Sequence, residues 1–210
     1  MRSAKDVRAR TRALAALVRH AQGEPQEPGR LQLSPSEREL LAAPAAAWPE
    51  QDVVDAGWRG EALGTLAWAL GAIAELPPYD RPFEHGVVAR SVELEDTELR
   101  PREELEAEHE AARLWHWRAR TATVQHERLA AIGGPWTSFD QLIAATAMKG
   151  HARGVLPLPF RGDFPAHGRS FRSLAPHDQA LVHSIAAERH YALEWLFSPG
   201  VEWDAIRTDT

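Results

Sequence analysis

The segment Ala186–Phe197, AAERHYALEWLF, reads as helix and puts an arginine where a helix packed on a core should present only carbon. At about 100° per residue, Leu181, Val182, Ile185, Ala186, Ala192, Leu193 and Leu196 fall on one arc of about 140°. Arg189 lies in the middle of that arc. Glu188 lies at its edge beside Trp195, and His190 lies on the opposite side with His183 and Glu194. A guanidinium stays protonated inside a protein, and burying it unpaired is very costly. If Arg189 points inward, a carboxylate must meet it, and that ties the last helix to another part of the chain.

The same oddity recurs upstream. In a long helix predicted over 51–74, Trp58, Ala62, Leu63, Leu66, Ala69, Leu70 and Ile73 make the apolar arc, Arg59 falls inside it and Glu61 flanks it next to Trp68. In a second long helix opening at Arg100-Pro101-Arg102-Glu103, Leu105, Ala112, Trp115 and Ala119 make one strip. His109, Arg113, His116 and Arg120 stack on the adjoining strip, with Trp117 bordering it. The expected arrangement is a semi-buried network joining three helices, with Glu61, Glu188 and Asp204 as the natural carboxylates. Arginines pair with carboxylates and stack on aromatic faces, which suits eight Trp. Such a network can fix helix register alone. It can also line a pocket in which Arg113, Arg120 and the histidines receive an anionic ligand.

Local signals set out the remaining elements. A first helix spans 5–20, and a Pro/Gly-punctuated loop fills 21–34. Ser34-Pro35-Ser36-Glu37 caps a short helix reaching about Ala43. Residues 79–100 are mixed, with one short helix near 82–90. The helix from Arg102 is expected to run to about Ala131, where Gly133-Gly134-Pro135 stops it, and another over 137–148 is capped by Thr137 or Ser138. VLPLPF and RSFRSL then pair as a β-hairpin or lie as two extended segments, before a final helix over 176–197. The fold class is mainly α: a single-domain helical bundle over 1–210 with one small β-hairpin before the last helix. Residues 1–34 form an N-terminal helix and loop packed on it.

Composition excludes several functions. With no Cys, disulfides, thiolate metal sites and Cys nucleophiles are ruled out. A net charge of −6 argues against a nucleic-acid partner. No apolar run approaches the roughly 18 residues of a membrane span, and Arg12 and Arg19 flank only LAALV, too little for a signal peptide. A cytoplasmic protein, monomeric or homodimeric, is expected. No G-x-S-x-G, G-x-G-x-x-G or P-loop occurs. A carboxylate-bridged di-metal bundle asks for Glu-x-x-His on two helices, which the chain does not supply. His109, His116, His183 and His190 are weak metal candidates by spacing, and no cofactor is expected.

Several blocks carry a resemblance. They are W-R-x-E-A-L at Trp58–Leu63 running on through Leu66–Gly71, and L-R-P-R-E-E at Leu99–Glu104 running to Arg113, Trp117 and Arg120. To these add Asp163-Phe164 and Gly168, E-R-H-x-A-L-x-W-L at Glu188–Leu196, and Trp203-Asp204 with Thr208-Asp209-Thr210. Together they resemble the bacterial family catalogued as domain of unknown function 4272, over about residues 5–210. Glu194 departs from the family's usual Asn. The resemblance implies a shared fold and no established activity. Its residues coincide with those the helical geometry singles out: Arg59, Glu61, Arg113, Trp117, Arg120, Glu188, Arg189 and Asp204.

Two functions fit. The favoured expectation is a non-catalytic protein-interaction or accessory module of the immunity type, in which Glu103, Glu104, Glu106, Glu108 and Glu110 supply an acidic patch for a protein partner. The alternative is a small-molecule enzyme or sensor whose Arg/Glu/Trp-lined pocket takes an anionic ligand.

Overall fold

Two serines start the first two helices in the same way. Ser3 accepts a hydrogen bond from the Asp6 amide while Asp6 reaches back to the Ser3 amide, which opens α1 (Ala4–Ala21). Ser34 and Glu37 repeat this capping box, with Pro35 in the first turn, to open α2 (Pro35–Leu41). The computed structural model describes residues 1–210 except 28, 30, 92, 93, 96, 123–137, 209 and 210. It continues with α3 (Glu50–Ala69), α4 (His85–Ser91), α5 (Arg102–Thr121), α6 (Phe139–Ala152), a small hairpin of β1 (Pro165–Ala166) and β2 (Arg169–Ser170), and α7 (Pro176–Phe197). The fold is mainly α with one small hairpin before the last helix.

α3 ends five residues before the expected 74. Gly71 takes φ +72°, a left-handed conformation, and the Ala72 amide donates to the Ala67 carbonyl at 2.9 Å, closing the turn against helical continuation. The Ala-Ile-Ala that follows has a helical look but lies past this stop. Arg100 holds the exposed carbonyls there. Its Nε donates to Trp68 O at 2.7 Å, its Nη2 donates to Ile73 O and Ala74 O, and its guanidinium lies 5.0 Å over the Trp68 ring.

Between α6 and α7 the chain makes two tight turns, not a pairing of VLPLPF with RSFRSL. Arg161-Gly162 and His167-Gly168 both have positive φ at both residues, and each lies between paired residues: Phe160 with Asp163, and Ala166 with Arg169. The expected end of α5, the Gly133-Gly134-Pro135 stop and Thr137 lie outside the described residues. Ser138 caps α6 by accepting from the Gln141 amide.

α7 packs on α5 along one side and on α3 along another, while α1 and α4 cover α3. Leu14 of α1, Leu63 and Leu66 of α3, Leu105 of α5, and Ile185, Leu193 and Leu196 of α7 are fully buried in one core. A smaller cluster of Ala13, Leu17, Leu33, Leu41, Trp48 and Ala56 attaches α2. No helix among the described residues is long and apolar enough to cross a membrane.

Candidate functional site

Arg189 does point inward. It is completely buried, and its Nε donates to Glu61 Oε2 at 2.9 Å across the α3–α7 contact. Its Nη1 donates to Pro77 O at 2.6 Å, and the rings of Tyr79 and Phe83 lie 4.8 and 5.2 Å from the guanidinium. The other oxygen of Glu61 accepts from the Phe83 amide at 2.6 Å and from His85 Nε2 at 2.9 Å. Burial alone would raise the Glu61 pKa, but the His85 hydrogen bond, the Arg189 charge and the Phe83 amide together hold it below the ordinary carboxylate value. This pair is therefore saturated: its donors and acceptors are spent on each other, on the loop between α3 and α4, and on His85 at the start of α4.

Two residues before Glu61, Arg59 Nη1 donates to both oxygens of Glu188, the neighbour of Arg189, at 3.1 and 3.0 Å, with the Tyr191 ring 5.0 Å from the guanidinium. Asp204 meets neither arginine. It accepts from the Ser36 amide at 3.2 Å and from Ser36 Oγ at 3.0 Å, in the first turn of α2. Arg113 and Arg120 are also apart from this core. Arg113 is exposed and bonds Glu110, while Arg120 is exposed and its Nη1 donates to Thr208 O at 3.4 Å. The expected single network is thus one buried pair, Glu61–Arg189, one half-buried pair, Arg59–Glu188, and separate surface contacts.

Two further buried pairs escape the sequence reading. Arg118, 3% exposed, forks onto Asp163 with Nε–Oδ1 2.7 Å and Nη2–Oδ2 2.8 Å. Asp163 also accepts from the Phe164 and Arg172 amides. Burial opposes ionisation of Asp163, and the Arg118 fork and the two amides outweigh it, so its pKa lies below the usual carboxylate value. Arg10 bonds Glu37 and lies 4.7 Å over Trp203. The signal was present in both cases: Arg10 sits between Val7 and Leu14 on the apolar face of α1, and Arg118 sits in the LWHWRA run of α5.

The histidines converge. His190, placed by helical geometry on the side away from the core, is 3% exposed because that side of α7 faces α5. His116 Nδ1 and His190 Nδ1 are 3.0 Å apart, so one donates to the other. His183 stacks on His116 at 5.6 Å, and His109 lies 5.7 Å from the His190 ring. Desolvation by burial, then the charges of neighbouring histidines and arginines, lower His116 to about 4 and His190 to about 3, so both are neutral near pH 7. On the same seam His109 Nε2 contacts Glu194 Oε2 at 3.0 Å.

Beside the seam, between α5 and α6, is a cavity of about 330 Å³. Arg113, Lys149 and Arg153 line it with Trp117, Leu114 and Leu142, and Glu110 is its carboxylate. Glu110 Oε2 accepts from Arg113 Nε and Nη2 at 2.9 and 2.8 Å, and Oε1 accepts from Arg153 Nη1 at 3.0 Å. Of the residues weighed for a pocket, Arg113 lines this cavity, beside Trp117, and none of the histidines does. Lys149 and Arg153 were missed, because only packing brings α6 beside α5. Arg120, expected with them, does not line the cavity.

The fold and its pairs define a mainly helical domain crossed by buried arginine–carboxylate contacts, with a basic cavity and a histidine seam on α5. The chain belongs to the family described as domain of unknown function 4272, whose sequence model matches residues 1–132. Arg59, Glu61 and Arg113 lie within the match, and the α7 residues Glu188 and Arg189 lie beyond it. Neither a curated protein nor a solved structure matches the chain.

Proposed function

We propose that this protein is a sensor or binding domain for a small anionic molecule, held in the cavity between α5 and α6. The observation that carries the reading is the charge balance of that cavity: three cations, Arg113, Lys149 and Arg153, face one carboxylate, Glu110. Two units of positive charge beside an apolar wall of Trp117, Leu114 and Leu142 suit a ligand with an acidic head and a flat or apolar body. Glu110 holds Arg113 and Arg153 in place before a ligand arrives, which lowers the ordering cost of binding.

The protein-interaction reading leans on a free acidic stripe, and the stripe is largely engaged within the chain. Glu104 pairs with Arg100 and Glu106 with Arg102, Glu108 accepts from Tyr79, and Glu110 belongs to the cavity. The buried Glu61–Arg189 pair and the half-buried Arg59–Glu188 pair serve as architecture in this reading, since each carboxylate is already held by its arginine.

The test is thermal-shift and calorimetric titration of the full chain with aryl phosphates, aryl carboxylates and their neutral isosteres. Acidic compounds should bind, neutral ones should not, and Lys149→Ala/Arg153→Ala should weaken binding by roughly tenfold or more. Binding that ignores charge, or survives the double substitution, refutes the proposal.

A further inference from the structure

His190 and Glu194 are four residues apart on α7, so their side chains leave the helix on the same side. His109, on α5 opposite, completes a group of three: one donor atom from each lies within 4.8 Å of the others. Among the described residues this is the one group of three His, Asp or Glu gathered so closely. We propose that His109, His190 and Glu194 form a binding site for a zinc-class divalent cation, held across the α5–α7 seam.

The donor set selects the class of metal. Two imidazoles and a carboxylate suit Zn²⁺ and its borderline neighbours, whereas Mg²⁺ and Ca²⁺ are held by oxygen. The surroundings aim each donor. His190 Nδ1 is engaged by His116 Nδ1 at 3.0 Å, which leaves Nε2 for a ligand. Glu194 Oε1 accepts from Ser198 Oγ at 3.0 Å, which leaves Oε2, already 3.0 Å from His109 Nε2. The His109 ring is stacked on Phe197, centroids 5.0 Å apart and planes 10° from parallel. Contacts of this kind, one layer behind the ligands, fix ring orientation and tautomer in metal sites.

Burial gives the site a base and a mouth. His190 is buried, while the His109 and Glu194 side chains are 22% and 31% exposed. Three protein donors with an open side leave a fourth position for water or an outside ligand. Around a four-coordinate Zn²⁺ the donor atoms are roughly 3.3 Å apart, so donors lying within 4.8 Å of one another must close by at most about 1.5 Å. The two half-exposed side chains have the freedom to do so. This site does not depend on the anion cavity, and either can fail without the other.

The experiment is isothermal titration of the chelator-stripped full chain with ZnCl2, with MgCl2 as the hard-cation control. One Zn²⁺ per chain should bind with a Kd in the micromolar range or tighter, and Mg²⁺ should give no comparable binding. His109→Asn and Glu194→Gln, both at partly exposed positions, should each weaken Zn²⁺ by roughly tenfold to a hundredfold with an unchanged circular dichroism spectrum. Co²⁺ added to the same protein should show the intense visible absorption of a four-coordinate site, and both variants should lose it. Absence of Zn²⁺ uptake, uptake that both variants retain, or Mg²⁺ binding equal to Zn²⁺ would each overturn the proposal.

Discussion

Glu61 accepts hydrogen bonds from Arg189, His85 and the Phe83 amide, so three separate segments converge on one carboxylate at zero exposure. A charge held this way adds little net stability as a pair, yet removing one partner strands the other. Arg189→Met should therefore cost about 3–5 kcal/mol in urea unfolding, while Glu61→Gln/Arg189→Met should recover much of that loss. A single variant as stable as the parent would show that Glu61 does not depend on Arg189. Asp163 offers a test by pH. Its folded pKa is depressed, so its contribution to stability is present above the unfolded value near 3.8 and is lost as pH falls through the folded one. Asp163→Asn leaves the buried Arg118 without a counter-charge, so it should be less stable than the parent at about pH 7. It should also lose less stability than the parent between about pH 5 and pH 2, since it lacks that titration. Parallel acid-loss curves for the two proteins would contradict the assignment.

At the scale of elements, α3 is shaped by what packs against it. A Cβ at Gly60 would sit 2.2 Å from His85 Cγ, and one at Gly64 would sit 2.4 Å from Phe83 Cε2. The two glycines form a notch that admits the residues whose imidazole and amide hold Glu61. Gly64→Ala should cost about 1–3 kcal/mol by thermal unfolding, and Phe83→Leu in the same chain should relieve part of it. If Gly64→Ala is neutral, the close approach of Phe83 is not a constraint. This notch was not legible in the sequence, where a helical glycine looks merely tolerated and its partner lies some 20 residues away. Helix starts were legible at Ser34 and Ser138, because a cap is chemistry between near neighbours. The end of α3 was not, since apolar residues continue past Gly71. That Arg189 needs a carboxylate could be read from the arc it occupies. That it takes Glu61 while Arg59 takes Glu188 could not, because the choice is made by how α3 and α7 cross. For His190 the arc gives the side it takes but not what covers that side: α7 packs on two sides, so the side away from one neighbour faces another.

For the whole molecule, the pairs tie together distant parts of the chain. The match to the family covers residues 1–132, but within it Glu61, Arg59 and Arg118 are completed by Arg189, Glu188 and Asp163 from beyond it. The two ends are joined in the same way. Arg2 Nε donates to Trp195 O at 2.8 Å at the end of α7, and Asp204 accepts from Ser36 at the start of α2. A fragment of residues 1–132 would keep a buried-face carboxylate and two arginines with no counter-charge. It would also expose the faces of α3 and α5 that Ile185, Leu193 and Leu196 cover, each worth about 1.5–3 kcal/mol of burial. Natural domains hold only about 5–15 kcal/mol in total, so losing roughly 4.5–9 kcal/mol from these three side chains removes most of the margin such a fragment could keep. The fragment should show no cooperative thermal transition by calorimetry, and adding residues 138–210 as a separate chain should restore one. A cooperative transition in the fragment alone would mean that residues 1–132 are a self-sufficient unit. The interhelical pairs would then be contacts added to a finished core, and α7 would be dispensable to the fold that the family shares.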